Sequence, residues 1–424
     1  MDTASQIIQR RVTYKLYPNL TQEAKLERFR LLHQDLYNSA LAQKKRAIEE
    51  GTKVPTFTDQ GKELTAIRAQ DPLLESVNAQ SQQVTLKRLD NAFNKLYQHR
   101  KEGKSGGFPR FKSRERFKGF GYKTHGDGWK FIPGNKRSKR GTHKHGRLYL
   151  SGVGKITARG CPRNEGTPKT IDLTKKVDGW YASIVFDCTP KRERGEELAT
   201  FDWGVLVFLF LVFGNGDTLQ VPNPRITQRE LDKQRALDQT LARKKKGSQR
   251  RAKAKEERAN FFQHQKNIRQ NFLHQISAAL VVLCRVIGTE ELDLKKLTKK
   301  EGGKEGLHRE ILSTGGGMFL AMLRYKAEEA GSRYEELPTK QLAPTQRCYL
   351  CWKKEKKALD QRWHTCVCGA NCPRDENAAR VMMRALTELL AKTPKTENKT
   401  GLESGRAEVG AKTQLCETPS IPLG

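Results

Sequence analysis

Chemistry is most legible in the stretch TQRCYLCWKKEKKALDQRWHTCVCGANCPRDENAAR, residues 345–380. Cys348-x-x-Cys351 and Cys366-x-Cys368 are separated by fourteen residues. Two thiolates on each of two tight turns can close a tetrahedral Zn2+ site, and the stretch between them has the length of a short hairpin. The other readings are four ordinary buried cysteines, or a site in which Cys372 replaces a member of the second pair. A four-thiolate site leaves no coordination position for a substrate, so such a zinc holds shape and does no chemistry. Candidate reactive groups are instead three acids placed where a solvated charge is not expected. Asp202 precedes the apolar run VLVFLFLVF, Glu290 ends the strand-like RVIGT, and Asp375 opens the last helix beside the cysteines. Each alone is compatible with a turn residue or, for Asp375, an N-cap. Gathered at one end of a sheet, they would repel one another unless divalent cations neutralised them. Mg2+ prefers one or two carboxylates plus phosphate oxygens, which suits phosphodiester chemistry.

These residues need elements to hold them. RRVTYKLYP alternates as a strand, and the helical pattern after it takes Thr21 as cap and Gly51 as its stop. Further helices are expected over 58–69 and 77–97, with Leu86, Leu89, Phe93 and Leu96 as a packing stripe. Residues 129–188 read as short strands broken by Gly and Asn. The apolar run, Gly-Asn-Gly-Asp and a second strand read as a hairpin whose first strand is buried on both faces. Residues 226–283 read as helix, interrupted where Gly247 and Ser248 turn one helix into the next. The Gly- and Lys-rich KKEGGKEG is expected to be mobile, and 393–424 to be a disordered tail.

The chain of 424 residues carries 80 Lys and Arg against 47 Asp and Glu, a net charge of +33. The excess is spread along the length, and a polyanion would relieve the self-repulsion it causes, which points to nucleic acid. Two tracts stand out. KEGKSGGFPRFKSRERFKGFGYKT sets Phe108, Phe111, Phe117, Phe120 and Tyr122 among cations that include Arg110 and Lys112. It reads either as a surface that grips phosphates and stacks on bases or as core-facing aromatics of short strands. RKKKGSQRRAKAK offers Lys244, Lys245, Lys246, Arg250 and Arg251 to a phosphate backbone, or else forms a solvated face. The start lacks a signal-peptide pattern, the longest apolar run has nine residues, and nine cysteines fit a reducing compartment. A cytoplasmic, nucleoid-associated protein is expected.

FDWG, IGTEELDLKK and C-x-x-C…C-x-C-G…RDENAA, preceded by YKLYP and GFPRFKSR, together resemble the TnpB family of transposon-encoded RNA-guided nucleases, relatives of compact type V CRISPR effectors. The resemblance runs over about residues 8–390 and is most specific at the cysteine pairs and RDENAA. It implies an α+β multidomain chain in which a β-barrel-like wedge module (1–20 and 104–190) holds an inserted helical recognition region (21–103). After it comes an RNase H-like (RuvC) nuclease (198–344 and 371–392) with an inserted zinc knuckle (345–370). It further implies guide RNA and target double-stranded DNA as partners. Asp202, Glu290 and Asp375 match the catalytic acids that hold Mg2+, and Cys348, Cys351, Cys366 and Cys368 the structural Zn2+ ligands. Glu291 rivals Glu290, since spacing does not separate them. The C-x-C half and Pro373 depart from the family pattern. The function implied is cutting of both strands of guide-matched DNA beside a short target-adjacent motif by one Mg2+-dependent site. The alternatives are an RNA-guided repressor that cuts poorly and a zinc-knuckle nucleic-acid binder without a guide.

Overall fold

A computed structural model describes residues 7–134, 145–160, 166–189, 192–292, 305–358 and 361–392. The expected tail 393–424 and most of KKEGGKEG lie outside the described residues. The chain divides into two compact units between Thr189 and Pro190, inside the charged tract TPKRERGEEL. No helix among the described residues is long and apolar enough to cross a membrane.

In the first unit, strand β1 (Ile8–Tyr17) is followed by helices α1 (Leu20–Glu49), α2 (Phe57–Arg68), α3 (Pro72–Glu75) and α4 (Ala79–Lys101). Six strands follow: β2 (Gly119–Tyr122), β3 (Trp129–Ile132), β4 (Gly146–Leu150), β5 (Gly154–Ala158), β6 (Gly166–Lys176) and β7 (Gly179–Cys188). The sheet order is β2-β6-β7-β1-β5-β4-β3, and every pairing is antiparallel. Its inner face buries Tyr14, Trp129, Phe131, Leu148, Ile156 and Trp180 with Leu26 and Phe29 of α1. The cap of α1 is Asn19, not Thr21. The Asn19 side chain accepts from the Gln22 amide, and Gln22 returns the bond to the Asn19 amide, satisfying two orphan donors at once. Leu86, Leu89 and Phe93 do form the packing stripe, against Tyr37 and Leu41 of α1.

The tract 101–124 is corrected in part. Phe117, Phe120 and Tyr122 are buried core residues, and Phe108 packs edge-on against Phe93. Phe111 stays exposed, with the Lys45 ammonium 4.7 Å from its ring centre. Four residues of this tract form the short strand β2, where an added Cβ at Gly119 would fall 1.8 Å from the Leu173 carbonyl oxygen. That close approach is the reason for the glycine, which otherwise reads as a loop signal.

In the second unit, β8 (Glu197–Trp203), β9 (Val207–Phe213) and β10 (Thr218–Pro222) lead into α5 (Ile226–Arg229), α6 (Leu231–Arg243) and α7 (Gln249–Leu283). Then come β11 (Cys284–Glu290), α8 (Glu305–Thr314), α9 (Gly316–Ala330), β12 (Arg333–Leu337), α10 (Thr339–Leu342), β13 (Trp363–Thr365), β14 (Asn371–Pro373) and α11 (Arg374–Lys392). The main sheet has the order β10-β9-β8-β11-β12. β8–β9 and β9–β10 are antiparallel, while β8–β11 and β11–β12 are parallel. The apolar run forms β9 and pairs with β10 as a hairpin, with Phe208 to Val212 buried. The sequence reading missed that FDW belongs to a strand of its own, β8, paired along the other edge of β9. Ala199, Phe201, Leu211 and Ile287 pack on α7 and α9. Phe210, Val212 and Val286 pack on Ala379, Met382 and Leu386 of α11.

Candidate active site and metal centre

Strand parity decides which acids share a face, because successive side chains point to opposite sides. Leu198 pairs with Val286, Thr200 with Gly288, and Phe201 with Thr289, so the register runs on to bring Glu290 beside Asp202. The Thr200 hydroxyl donates to the Ala379 carbonyl of α11 at 2.8 Å. A Cβ on Gly288 would sit 3.0 Å from Thr200 and 3.1 Å from Leu386 of α11. Asp202 and Glu290 therefore end two parallel strands on the face that α11 covers, and Asp375 lies in the first turn of α11. Glu291 is exposed and follows the last residue of β11. Its amide donates to the Leu337 carbonyl at 2.9 Å, and its carbonyl accepts from the Thr339 hydroxyl at 2.7 Å.

Electrostatics tie the three acids together. Burial pushes the Asp202 carboxyl well above the usual carboxylate range, and the negative charges of Glu290 and then Asp375 push it further, with Arg374 opposing. Burial also raises Glu290, against a hydrogen bond from Thr339. The acids interact without closing into a ligand cage. Among the described residues, the group of His, Cys, Asp or Glu whose ligand atoms all lie within 4.8 Å of one another is the cysteine set.

A carboxyl held above its unfolded-state range favours the protonated folded protein, so its penalty is absent at low pH and grows as pH rises towards the folded value. Asp202→Asn removes the ionisable group. With chelator present, the variant is expected to melt a few degrees above the parent at pH 8, at about 2–4 °C per kcal/mol for a unit of this size. The difference should vanish near pH 4. A variant that melts lower at both pH values contradicts this account.

The cysteines meet as the spacing predicts. The Sγ atoms of Cys348 and Cys368 are 3.6 Å apart, as are those of Cys351 and Cys366. Four thiolates at about 2.3 Å from one zinc would stand roughly 3.8 Å apart along each tetrahedral edge, so the set fits that ion. Trp352 and Gly369 take left-handed backbone (φ 65° and 90°) in the two turns. Cys372 is buried opposite His364 in the β13–β14 hairpin and lies outside the set of four.

Sequence reasoning missed the residues that fasten this knuckle to α11. The Asn377 side chain donates to the carbonyls of Arg347 (2.7 Å) and Pro344 (3.3 Å) and accepts from the Tyr349 amide (3.2 Å). Arg384 donates to the Leu350 carbonyl at 2.9 Å and lies over the Trp352 ring. The available signal was the Asn of RDENAA. A fully buried amide with three backbone partners brackets Cys348 only two residues along the chain from Asp375.

The basic residues fall in two places. Arg110 is exposed, whereas the main chain of Lys112 is pinned by Asn38 and Gln34 of α1. Lys244, Lys245, Lys246 and Arg250 surround the α6–α7 turn, where Gly247 has φ 85° and Ser248 caps α7. Arg251 works within that turn, donating to the carbonyls of Leu241 (2.6 Å) and Lys244 (2.9 Å).

Comparison with known proteins adds the following. Residues 174–301 match the OrfB_IS605 family, described as "Probable transposase". Residues 317–382 match the "Cas12f1-like, TNB domain" and residues 5–53 the OrfB_IS605 "Helix-turn-helix domain". In this chain the described part of 5–53 is one strand and one uninterrupted helix. A Streptomyces pristinaespiralis protein named "Putative RNA-guided DNA endonuclease" is 26% identical over 388 residues, 90% of each chain. "Putative RNA-guided DNA endonuclease InsQ" of Escherichia coli K12 is 25% identical over 396 residues, 89% of this chain and 92% of that one. The fold is similar to a chain in the cryo-EM structure of the Cas12f1-sgRNA-target DNA complex, with TM-score 0.53 and 12% identity, covering 89% of this chain and 99% of that one. These matches bear out the resemblance read from the motifs.

Proposed function

We propose that this chain, a relative of the OrfB_IS605 and Cas12f1-like proteins, is an RNA-guided DNA endonuclease whose single cleavage site is built from Asp202, Glu290 and Asp375. One observation carries the reading: two acids end adjacent parallel strands, and the helix bearing the third lies on the same face. The strand order, with three antiparallel strands followed by two parallel ones on the far side of β8, supports an RNase H-like assignment for the second unit. Divalent ions held there, Mg2+ by the hardness of three carboxylates, would activate water and stabilise the leaving oxygen of a phosphodiester. The protein's own part is to hold the carboxylates. Thr200 and Asn377 anchor α11 on the sheet and on the knuckle. Cys348, Cys351, Cys366 and Cys368 would hold Zn2+, which would fix where α11 begins and would take no part in the reaction.

Guide pairing would read the target while the protein reads backbone shape and a short flanking motif, a division described for another guided effector. One site holds one phosphodiester at a time. The displaced strand is flexible and is cut first, and the paired strand follows after unpairing. Time-resolved cleavage of a plasmid with each strand labelled tests this. A nicked intermediate and staggered ends are expected, and blunt ends without a nicked species overturn the single-site reading.

Charge gives an independent check. Changing Lys244, Lys245 and Lys246 to Ala should lower the slope of log affinity against log salt by about 2–3, since each phosphate contact contributes about 0.7–0.9. An unchanged slope places the α6–α7 turn on a solvated face.

A further inference from the structure

Asp202 stands near the open end of its strand. β8 stops at Trp203, and its pairing with β11 stops one residue before Asp202, at Phe201 with Thr289. Pairing with β9 continues through Asp202–Phe210 and Trp203–Leu209, after which the chain turns and the Gly204 amide donates to the Phe208 carbonyl at 3.3 Å. A strand end paired along one edge can swing about that edge unless something beneath stops it. Trp203 lies there. Successive side chains of a strand point to opposite faces, so Asp202 takes the α11 face and Trp203 the other, where it joins the core cluster of Phe201, Leu273 and Phe319. Its indole covers the first residue of α9. A Cβ on Gly316 would fall 2.5 Å from Cζ2, 2.6 Å from Cε2 and 3.1 Å from Nε1 of the ring. Gly316 already lies in the helix, where glycine is a poor helix former, so the backbone does not ask for it. The ring does. Gly315 before it has φ 71°, and its carbonyl accepts from the Met318 and Phe319 amides at 2.9 and 3.0 Å, which closes the helix start under the indole. Phe319 meets Phe201 edge-on, with ring centres 5.8 Å apart. β8 therefore rests on α9 at two places, and the Trp203 contact is the one beyond the β11 pairing. The buried Trp203 N–H has no hydrogen-bond partner among the described residues, so shape alone seats the ring.

We propose that Trp203 is a positioning residue for the cleavage site: the indole seated on Gly316 holds the end of β8 against α9 and so sets where the Asp202 carboxylate meets a divalent ion. The role of Asp202 rests on the function proposed above; the contact between Trp203 and Gly316 does not. A metal-binding constellation must be held within about 0.5 Å of its working geometry, and a misplacement of about 1 Å costs on the order of 10²-fold in rate. Removing the ring leaves a space under the strand end. The backbone that carries Asp202 can settle into it and draw the carboxylate away from Glu290 and Asp375. Adding a methyl group at Gly316 does the opposite, because it pushes the ring and the strand end outward. Either change moves the acid without touching it.

The test uses the full chain and two readouts. One is single-turnover cutting of guide-matched DNA by the RNA-loaded protein; the other is Mn2+ binding by calorimetry to protein freed of nucleic acid, with Asp202→Ala marking the part of the heat that belongs to this site. Trp203→Ala should cut about 10–100-fold more slowly and bind Mn2+ more weakly by a similar factor, while guided DNA binding stays within about twofold of the parent. Trp203→Phe should recover most of both losses, since the indole N–H makes no bond and a ring of similar shape remains. Gly316→Ala should lower rate and Mn2+ affinity in the parent. Combined with Trp203→Ala it should add no further loss, because the new methyl group enters the space the ring has left. Circular dichroism and active-site titration give the folded and active fractions of every variant. A merely structural Trp203 would lower those fractions and leave the rate per active molecule and the Mn2+ affinity parental; that result overturns the proposal, as do additive losses at Trp203 and Gly316. If the parent never cuts DNA, the nuclease reading fails by itself, and the order of Mn2+ affinities still decides whether Trp203 positions Asp202. If the parent cuts and Trp203→Ala matches it in rate and affinity, the proposal alone is lost.

Discussion

Alanine at Asp202, Glu290 or Asp375 should abolish DNA cleavage, by about 10³-fold or more, while guided DNA binding stays within about twofold of the parent. Each substitution removes an acid and no phosphate contact, so binding and chemistry should separate. Groups that act as one unit are not additive, and the triple variant should be hardly worse than any single one. Glu291→Ala is the internal control. Glu291 is exposed, lies beyond the end of β11, and is engaged through its backbone amide and carbonyl. It should cut at the parental rate. A Glu291→Ala variant that fails to cut, beside a Glu290→Ala variant that cuts, would show that the second acid is misassigned.

The next largest effect is expected at the cysteine set. About one tightly held zinc per chain should be found by metal analysis, and Cys348→Ser or Cys351→Ser should lose it. Zinc held by thiolates contributes directly to folding free energy, on the order of 10 kcal/mol in small zinc modules. Losing a ligand should therefore loosen residues 345–373 and release the clamp that Asn377 and Arg384 make on them. Soluble yield and cleavage should fall together, cleavage by roughly 10–100-fold, the scale seen when groups that orient a metal site are removed. Cys372→Ser should keep its zinc, because the Cys372 thiol is buried in the hairpin away from the other four. Active protein without zinc would remove the positioning role altogether.

The cysteine set was legible in the sequence because ligand spacing is local: two turns and a hairpin fix it within about twenty residues. Helix stripes were legible for the same reason, as Leu86, Leu89 and Phe93 illustrate. The acids were not. Nothing near Asp202 in the chain announces Glu290 or Asp375, and only a parallel register between β8 and β11, with α11 across it, brings them together. The motif resemblance supplied what local pattern could not. Spacing does not separate Glu290 from Glu291; burial differs between them, with Glu290 the more buried and Glu291 exposed. Two points the sequence left to choose between have equally physical causes. Phe120 and Tyr122 sit among Gly and Arg, so a stacking surface and a core strand both stayed open; the strand β2 puts them in the core, and Phe117, just before it, is buried with them. Thr21 and Asn19 are both capping residues, and the choice fell to Asn19 because Gln22 can complete the reciprocal pair.

The central claim is that RNA carried by this chain directs Mg2+-dependent cutting by Asp202, Glu290 and Asp375. The most direct measurement is to sequence the RNA that copurifies, build a plasmid library in which its complement is flanked by random sequence, and assay cutting with and without Mg2+. The account predicts cutting that requires the complement and Mg2+, at a fixed distance from one enriched flanking motif, and none with Asp202→Ala. Parental protein that retains its RNA and binds the matched plasmid, yet leaves both strands intact in Mg2+, would contradict it.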